Sequence, residues 1–201
     1  MQRITVRGEL FVQREAFAVE GVQAYSVDGT PADCVKVALQ YLLPGTPDAV
    51  LSGVNAGYNV GFDIAYSGTV GAAMEARMQG IHAIAFSDAG NGSCEVTERY
   101  LQSVTEDLLA RKLPANEIWN VNFPGCKLAD FQGICEHQRP AQGQFYLDRY
   151  QRRELEGGGF VLSPCGDPTT KCPAEGTDMH AVMNGYISIG RIESQVIKRG
   201  N

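Results

Sequence analysis

An open α/β sheet is what this sequence predicts, and three observations carry the prediction. Short apolar runs closed by small residues recur at Asp48–Gly53, His82–Ser87 and Ile118–Phe123, the texture of strands buried on both faces. Between them lie segments with apolar residues at helical spacing. The first strand opens into a polar, glycine-rich loop that ends at a helix start, where sheets of this class place their ligands.

In chain order, Ile4-Thr5-Val6, Leu10-Phe11-Val12 and Ala24-Tyr25-Ser26-Val27 read as extended segments. Asp28-Gly29-Thr30-Pro31-Ala32-Asp33 then turns into a helix: Thr30 can cap, Pro31 suits the first helical position, and Asp33 sits in the electropositive first turn. Val35, Ala38, Leu39, Leu42 and Leu43 continue it to Pro44-Gly45. After the 48–53 strand and its loop, a second helix runs from Thr69 through Val70, Ala73, Met74 and Met78 to Gly80. The 82–87 strand, a helix over 97–112 and the 118–123 strand complete two βαβ crossovers.

Beyond Pro124 the texture changes. Gln138 to Pro173 is rich in Gly, Gln, Arg and Pro, with Gly157-Gly158-Gly159, and reads as a hairpin or arm. Glu175 to Ile189 reads as a capped short helix, a glycine stop and a strand. The expected organisation is therefore one domain: a partial α/β core over 1–135, an extended arm over 136–174, and a closing helix and strand over 175–201.

Composition narrows the function. At 201 residues and 44% hydrophobic, the chain can bury one sizeable core. A net charge of -6 argues against an extended nucleic-acid surface, though not against a small phosphate site. No apolar run approaches the roughly 20 residues of a membrane span. Without a secretory leader pattern the expected compartment is the cytoplasm, and the six scattered cysteines read as free thiols. No Cys-x-x-Cys pair, Walker loop, nucleophile elbow or dinucleotide fingerprint occurs.

Chemistry concentrates in Ser52 to Thr69. Gly53, Gly57 and Gly61 let the backbone approach a bound group, and Ser67-Gly68-Thr69 offers hydroxyls and free N–H groups at a helix N-terminus, a site for phosphate. Asn55 and Asn59 add neutral amides, whose oxygens could meet a hard cation and whose N–H groups could donate to an oxyanion. The same residues could equally make a tight turn and a helix cap. Asp63 reads as ligand, base or solvated carboxylate, Asp28 and Asp33 as caps, and His180 as a relay partner of Thr177-Asp178 or a structural histidine.

Taken together, Gly29-Thr30-Pro31-Ala32-Asp33-Cys34, Ser52 to Gly61 with Tyr66-Ser67-Gly68-Thr69-Val70, Asn120-Val121-Asn122-Phe123-Pro124 and Glu175-Gly176-Thr177-Asp178 resemble the SurE family of 5'/3'-nucleotidases and acid phosphatases. The resemblance implies a Rossmann-like three-layer sandwich, a divalent ion such as magnesium or manganese, and hydrolysis of nucleoside monophosphates. It also implies homodimers or homotetramers that exchange C-terminal hairpin arms. By the same resemblance Asn55 matches a metal ligand, and Asn59, Ser67, Gly68 and Thr69 match the phosphate site.

The family pattern opens with a strand followed by Asn-Asp-Asp-Gly, whose aspartates ligate the metal, and a later serine loop adds a ligand; neither has a counterpart here. The expectation is a relative lacking the first strand, first helix and second strand. Metal binding and turnover would then be weakened or lost, leaving a nucleotide- or phosphate-binding oligomer as the alternative. Asp28, Asp33 or Asp63 could supply replacement carboxylates. A sheet deprived of a strand should also expose an edge that favours a partner or aggregation.

Overall fold

The first helix shows how local chemistry fixes the chain's path. In the computed structural model, which describes residues 3–90 and 92–194, α1 (Pro31–Val37) starts at Thr30, whose side chain accepts from the Asp33 N–H. The Asp33 carboxylate returns a bond to the Thr30 N–H, completing a capping box, and also accepts from the N–H and hydroxyl of Thr5. Helical winding continues past α1 as a π segment, Ala38–Leu42, rather than as one uniform helix. Upstream, β1 (Val12–Glu15) and β2 (Ala24–Val27) form an antiparallel hairpin, whereas Ile4–Val6, expected to be extended in a strand, joins no sheet.

The main sheet has five strands in the order β3-β4-β5-β9-β6. These are β3 (Ala49–Ala56), β4 (His82–Asp88), β5 (Glu117–Asn122), β6 (Gly133–Gln138) and β9 (Tyr186–Glu193). β3, β4 and β5 run parallel through two crossovers, while β9 enters antiparallel to β5 and parallel to β6. Sequence reading missed β6, whose mixture of Cys, Glu, His and Gln hides a half-buried edge strand.

Strand alternation sorts the core into two layers around the sheet. Ala83 and Ala85 of β4 and Ile118 of β5 pack with Val70, Ala72, Ala73 and Ala76 of α2 (Gly68–Met78). The intervening Ile84, Phe86, Trp119 and Val121 pack with Val96, Val104 and Leu108 of α3 (Glu95–Ala110). This is the three-layer Rossmann-like arrangement. Alanines on the α2 face let that helix lie close to the sheet, so the N-terminus of α2 sits just above the carboxyl end of β3.

β3 is an edge strand, and among the described residues nothing pairs with its outer side. Leu51 and Val54 are 51% and 38% exposed there, apolar side chains on an unpaired edge. The region expected as an arm contains a two-stranded antiparallel hairpin, β7 (Tyr150–Glu154) with β8 (Phe160–Pro164), exposed along its whole length. The short α4 (Asp178–Met183) then leads to β9. Residues 195–201, with which the last expected unit ends, lie outside the described residues.

Candidate functional site

The site begins with a bulge. β3 pairs with β4 from Ala49↔His82 to Ser52↔Ala85, then gains one residue so that Asn55 lies opposite Ser87. Gly53 makes this possible: its φ is +125°, and a Cβ there would stand 2.3 Å from the Phe86 carbonyl oxygen. The chain leaves the sheet after Ala56 and reaches the N-cap of α2 at Ser67.

A cleft of about 970 Å³ opens where the loop meets that helix. One wall is the loop itself: Asn55 to Asn59, Asp63, Tyr66, Ser67 and Gly68. The other comes from the root of the arm, Gln144, Tyr146, Asp148 and Tyr150. Ala89 and Gly90, after β4, close one end.

At the helix start the Ser67 hydroxyl accepts from the Val70 N–H at 3.1 Å, so its own hydrogen is left to donate toward the cleft. Gly68 adds a backbone N–H from the first turn, which has no carbonyl partner inside the helix, and the α2 dipole favours an anion there. Thr69 is buried one residue deeper and does not line the cleft.

The two asparagines diverge in what they do. Asn55 lines the cleft with its amide nitrogen donating to the Gly57 carbonyl at 2.7 Å, so its carbonyl oxygen is the free acceptor end. Asn59 is only 4% exposed and serves as a hub. Its N–H donates to Asn122 Oδ1 at 2.8 Å, its side-chain amide donates to the fully buried Ser87 hydroxyl, and its carbonyl accepts from Asn120 and Asn122. One N–H of the side-chain amide that the sequence would offer to phosphate is thus given to Ser87 at the carboxyl end of β4.

Asp63 and Asp178 tie the walls together. Asp63 Oδ2 accepts from the N–H groups of Phe145 and Tyr146 at 2.9 and 3.0 Å. Asp178, 3% exposed, accepts from Gly61 at 2.9 Å through Oδ2 and from Ala141 and Met179 at 2.9 and 2.7 Å through Oδ1. Burial pushes its carboxyl above the usual range against these hydrogen bonds. Both of its oxygens are committed to backbone, so no relay to His180 forms. Asp28 and Asp33 lie away from the cleft, at the start of α1, which removes them as replacement ligands.

Tyr146 completes the seam. Its hydroxyl accepts from the Tyr58 N–H at 2.9 Å, and its ring stands edge-on to Phe145, which stands edge-on to Tyr58. The Tyr58 hydroxyl in turn accepts from Gly125, and burial pushes its pKa up to about 12. Sequence reading gave Asp178 only a relay role with His180, and none to Asn120, Asn122 or the arm-root side chains. Asn120 and Asn122 were readable in principle, because alternate asparagines on an otherwise apolar strand must find buried partners.

Comparison with known proteins agrees with this architecture. The family model of the survival protein SurE matches residues 2–144. A 5'-nucleotidase SurE of Flavobacterium johnsoniae is 34% identical over 191 residues, 92% of this chain and 72% of its own length. That of Vibrio vulnificus is 39% identical over 167 residues, 82% of this chain and 64% of its own. The crystal structure of the SurE protein from Aquifex aeolicus superposes with a TM-score of 0.78 at 32% identity, covering 98% of this chain and 78% of that one. With the family model matching residues 2–144 and relatives 34–39% identical over most of the chain, this chain belongs to the SurE family.

Proposed function

We propose that the cleft binds the phosphate of a nucleoside monophosphate at the N-terminus of α2, and that the chain's reaction class is 5'/3'-nucleotidase hydrolysis of the phosphomonoester. The supporting observation is the open helix start, with Ser67 and Gly68 facing a cleft large enough for a whole nucleotide. Relatives named 5'-nucleotidase support the same reading.

The divalent ion that the family resemblance implies, magnesium or manganese, meets a poor donor set. The cleft offers side-chain amides from Asn55, Asn59 and Gln144 and two carboxylates, Asp63 and Asp148, of which Asp63 already accepts two backbone N–H groups. Among the described residues no three His, Cys, Asp or Glu side chains converge to hold a metal. These residues do not fit the ion. The donor set favours a second reading, binding of the nucleotide without turnover.

Calorimetric titration with a nucleoside monophosphate, together with phosphate release in the presence of manganese, tests both. Binding that falls about tenfold in Ser67→Ala is expected. Turnover with manganese selects the nucleotidase reading, binding alone selects the second, and no binding overturns the site. For quaternary structure we propose a homodimer or homotetramer formed through the arm, supported by the exposed Tyr150, Phe160, Val161 and Leu162. The cytoplasm is our reading of its compartment, supported by six free cysteines. No helix among the described residues is long and apolar enough to cross a membrane.

A further inference from the structure

We propose that a second chamber, separated from the cleft by Tyr58, Ala89 and Tyr146, binds a small neutral aromatic ligand that accepts one hydrogen bond, and that its occupancy strengthens anion binding in the cleft. The second half rests on the phosphate reading of Ser67 and Gly68; the first does not. The chamber measures about 320 Å³, at the lower end of what ligand pockets occupy. Its lining combines the rings of Tyr58, Phe145 and Tyr146 with Pro168, Val182 and Met183. Among the described residues, Tyr58, Ala89 and Tyr146 alone line both spaces, so they form the partition.

The lining selects against charge. Among the described residues no charged side chain borders the chamber, so a phosphate or a cation entering it would lose water and gain no partner. Three rings set edge-on to one another, Tyr58 to Phe145 and Phe145 to Tyr146, instead offer faces and edges to a flat apolar ring.

The two tyrosine hydroxyls point to different spaces. Tyr146 Oη stands beside Gly57 of the cleft wall, where it accepts from the Tyr58 N–H at 2.9 Å. Tyr58 Oη reaches the other way and accepts from the Gly125 N–H at 2.9 Å, and Gly125 lines the chamber and not the cleft. That bond uses an oxygen lone pair, which leaves the hydroxyl hydrogen to donate. Burial pushes the Tyr58 pKa up to about 12, so the hydrogen stays in place at neutral pH. The ligand that fits is therefore uncharged, one or two rings in size, with an acceptor at its edge.

The partition couples the two spaces. The arm root meets the loop at the bond between the Tyr58 N–H and Tyr146 Oη. A ligand lying against both rings makes its contacts only while that joint is closed, so by linkage it favours the closed arrangement. With the joint closed the cleft keeps both of its walls. Anion and aromatic ligand should therefore bind cooperatively rather than compete.

Amide NMR titration of the full chain with quinoline, uncharged at neutral pH and carrying one ring acceptor, tests this. Quinoline should bind with millimolar or tighter affinity and shift the Gly125 and Met183 resonances. Met183→Trp and Cys126→Phe, which enlarge lining side chains into the space, should abolish binding, and Tyr58→Phe should weaken it about fivefold. The affinity for inorganic phosphate, read at Gly68, should rise about fivefold when quinoline is saturating. No binding, or binding that both enlarged variants leave intact, would overturn the chamber, and an unchanged affinity in Tyr58→Phe would overturn its donor. Displacement of quinoline by phosphate or by a nucleoside monophosphate would make the two spaces one cleft and overturn the proposal. Binding of both with phosphate affinity unchanged would overturn the coupling alone. Failure of phosphate to bind would overturn the phosphate reading and the coupling with it, and leave the chamber standing. Circular dichroism of each variant separates misfolding from lost contacts, and the partly exposed position of Cys126 makes a folding defect unexpected there.

Discussion

The two walls of the cleft are held by opposite strategies. The loop wall is over-determined: Gly57, Asn59 and Gly61 are each tied by hydrogen bonds to a different element, β4, the β4–β5 pair and α4. The arm wall is tied at its root, through Asp63, Asp178 and Tyr146, and beyond Tyr150 its hairpin is exposed to solvent. A phosphate held by a helix start gains from a rigid cradle that is already in place before binding. A wall that must admit and release the rest of the ligand gains from being anchored at one end only.

Breaking the anchor the walls share should have the largest effect. Asp178→Ala strips the acceptor from the N–H groups of Gly61, Ala141 and Met179, leaving buried donors unpaired. A loss of roughly 3 kcal/mol or more in chemical denaturation is expected, with amide exchange rising in both walls. Exchange rising in the arm root alone would show that Gly61 does not depend on this carboxylate.

Asn59→Ala sharpens the contrast, because it attacks the loop wall only. The backbone bonds of Asn59 to Asn120 and Asn122 survive, but the buried Ser87 hydroxyl loses its partner. About 1–3 kcal/mol is expected, with the arm root unaffected. Phosphate affinity should fall through displacement of the loop, since the Asn59 amide donates to Ser87 rather than into the cleft.

Asymmetry between the walls also explains what could be read in advance. The loop wall was legible because its constraints are local: a short apolar strand, glycines where the backbone must turn or approach, and a serine at a helix start leave their mark within 48–69. The bond from Asn59 to Ser87 was not legible, because an asparagine in a glycine-rich loop looks the same whether it faces a ligand or a buried serine 28 positions away. The arm root was illegible because its placement is set by bonds of long sequence separation, Asp63 to Tyr146 and Gly61 to Asp178. Strand β6 escaped for a related reason, since its partner β9 lies some fifty residues downstream and its own pattern is polar. The open α/β sheet and its parallel crossovers followed from apolar runs and crossover spacing, while the three-layer sandwich was implied by the family resemblance.

Acid offers a graded perturbation that should spare both walls. Burial pushes the Asp33 carboxyl up, yet the bonds from Thr5 and Thr30 outweigh it and hold the pKa at about 2, below the ordinary 3.8. A depressed folded pKa contributes stability that is present above the unfolded value and lost as pH falls through the folded one. The tie between α1 and the N-terminal segment should therefore weaken between roughly pH 4 and pH 2. Asp178 is shifted the other way, so its raised carboxyl favours the folded state as it takes up a proton. Amide exchange followed down the pH range should rise first near Thr5 and Thr30, and Asp33→Asn should flatten that response. Exchange rising first at Gly61 and Ala141 would reverse the assignment.

Asp63→Ala makes the smallest and most selective cut. Its carboxylate holds the N–H groups of Phe145 and Tyr146 and bonds to no loop donor. Tyr58 and Asp178 still tether the arm root, so the global loss should stay near 1 kcal/mol. Its consequence should instead be local: faster exchange at Phe145 and Tyr146, and earlier proteolytic cleavage within the hairpin, while exchange at Gly57 and Asn59 keeps its wild-type rate. That pattern would make the arm a separately released unit on a fixed cradle. Exchange rising equally at Asn59 would mean instead that the two walls open as one body, and the distinction between them would collapse.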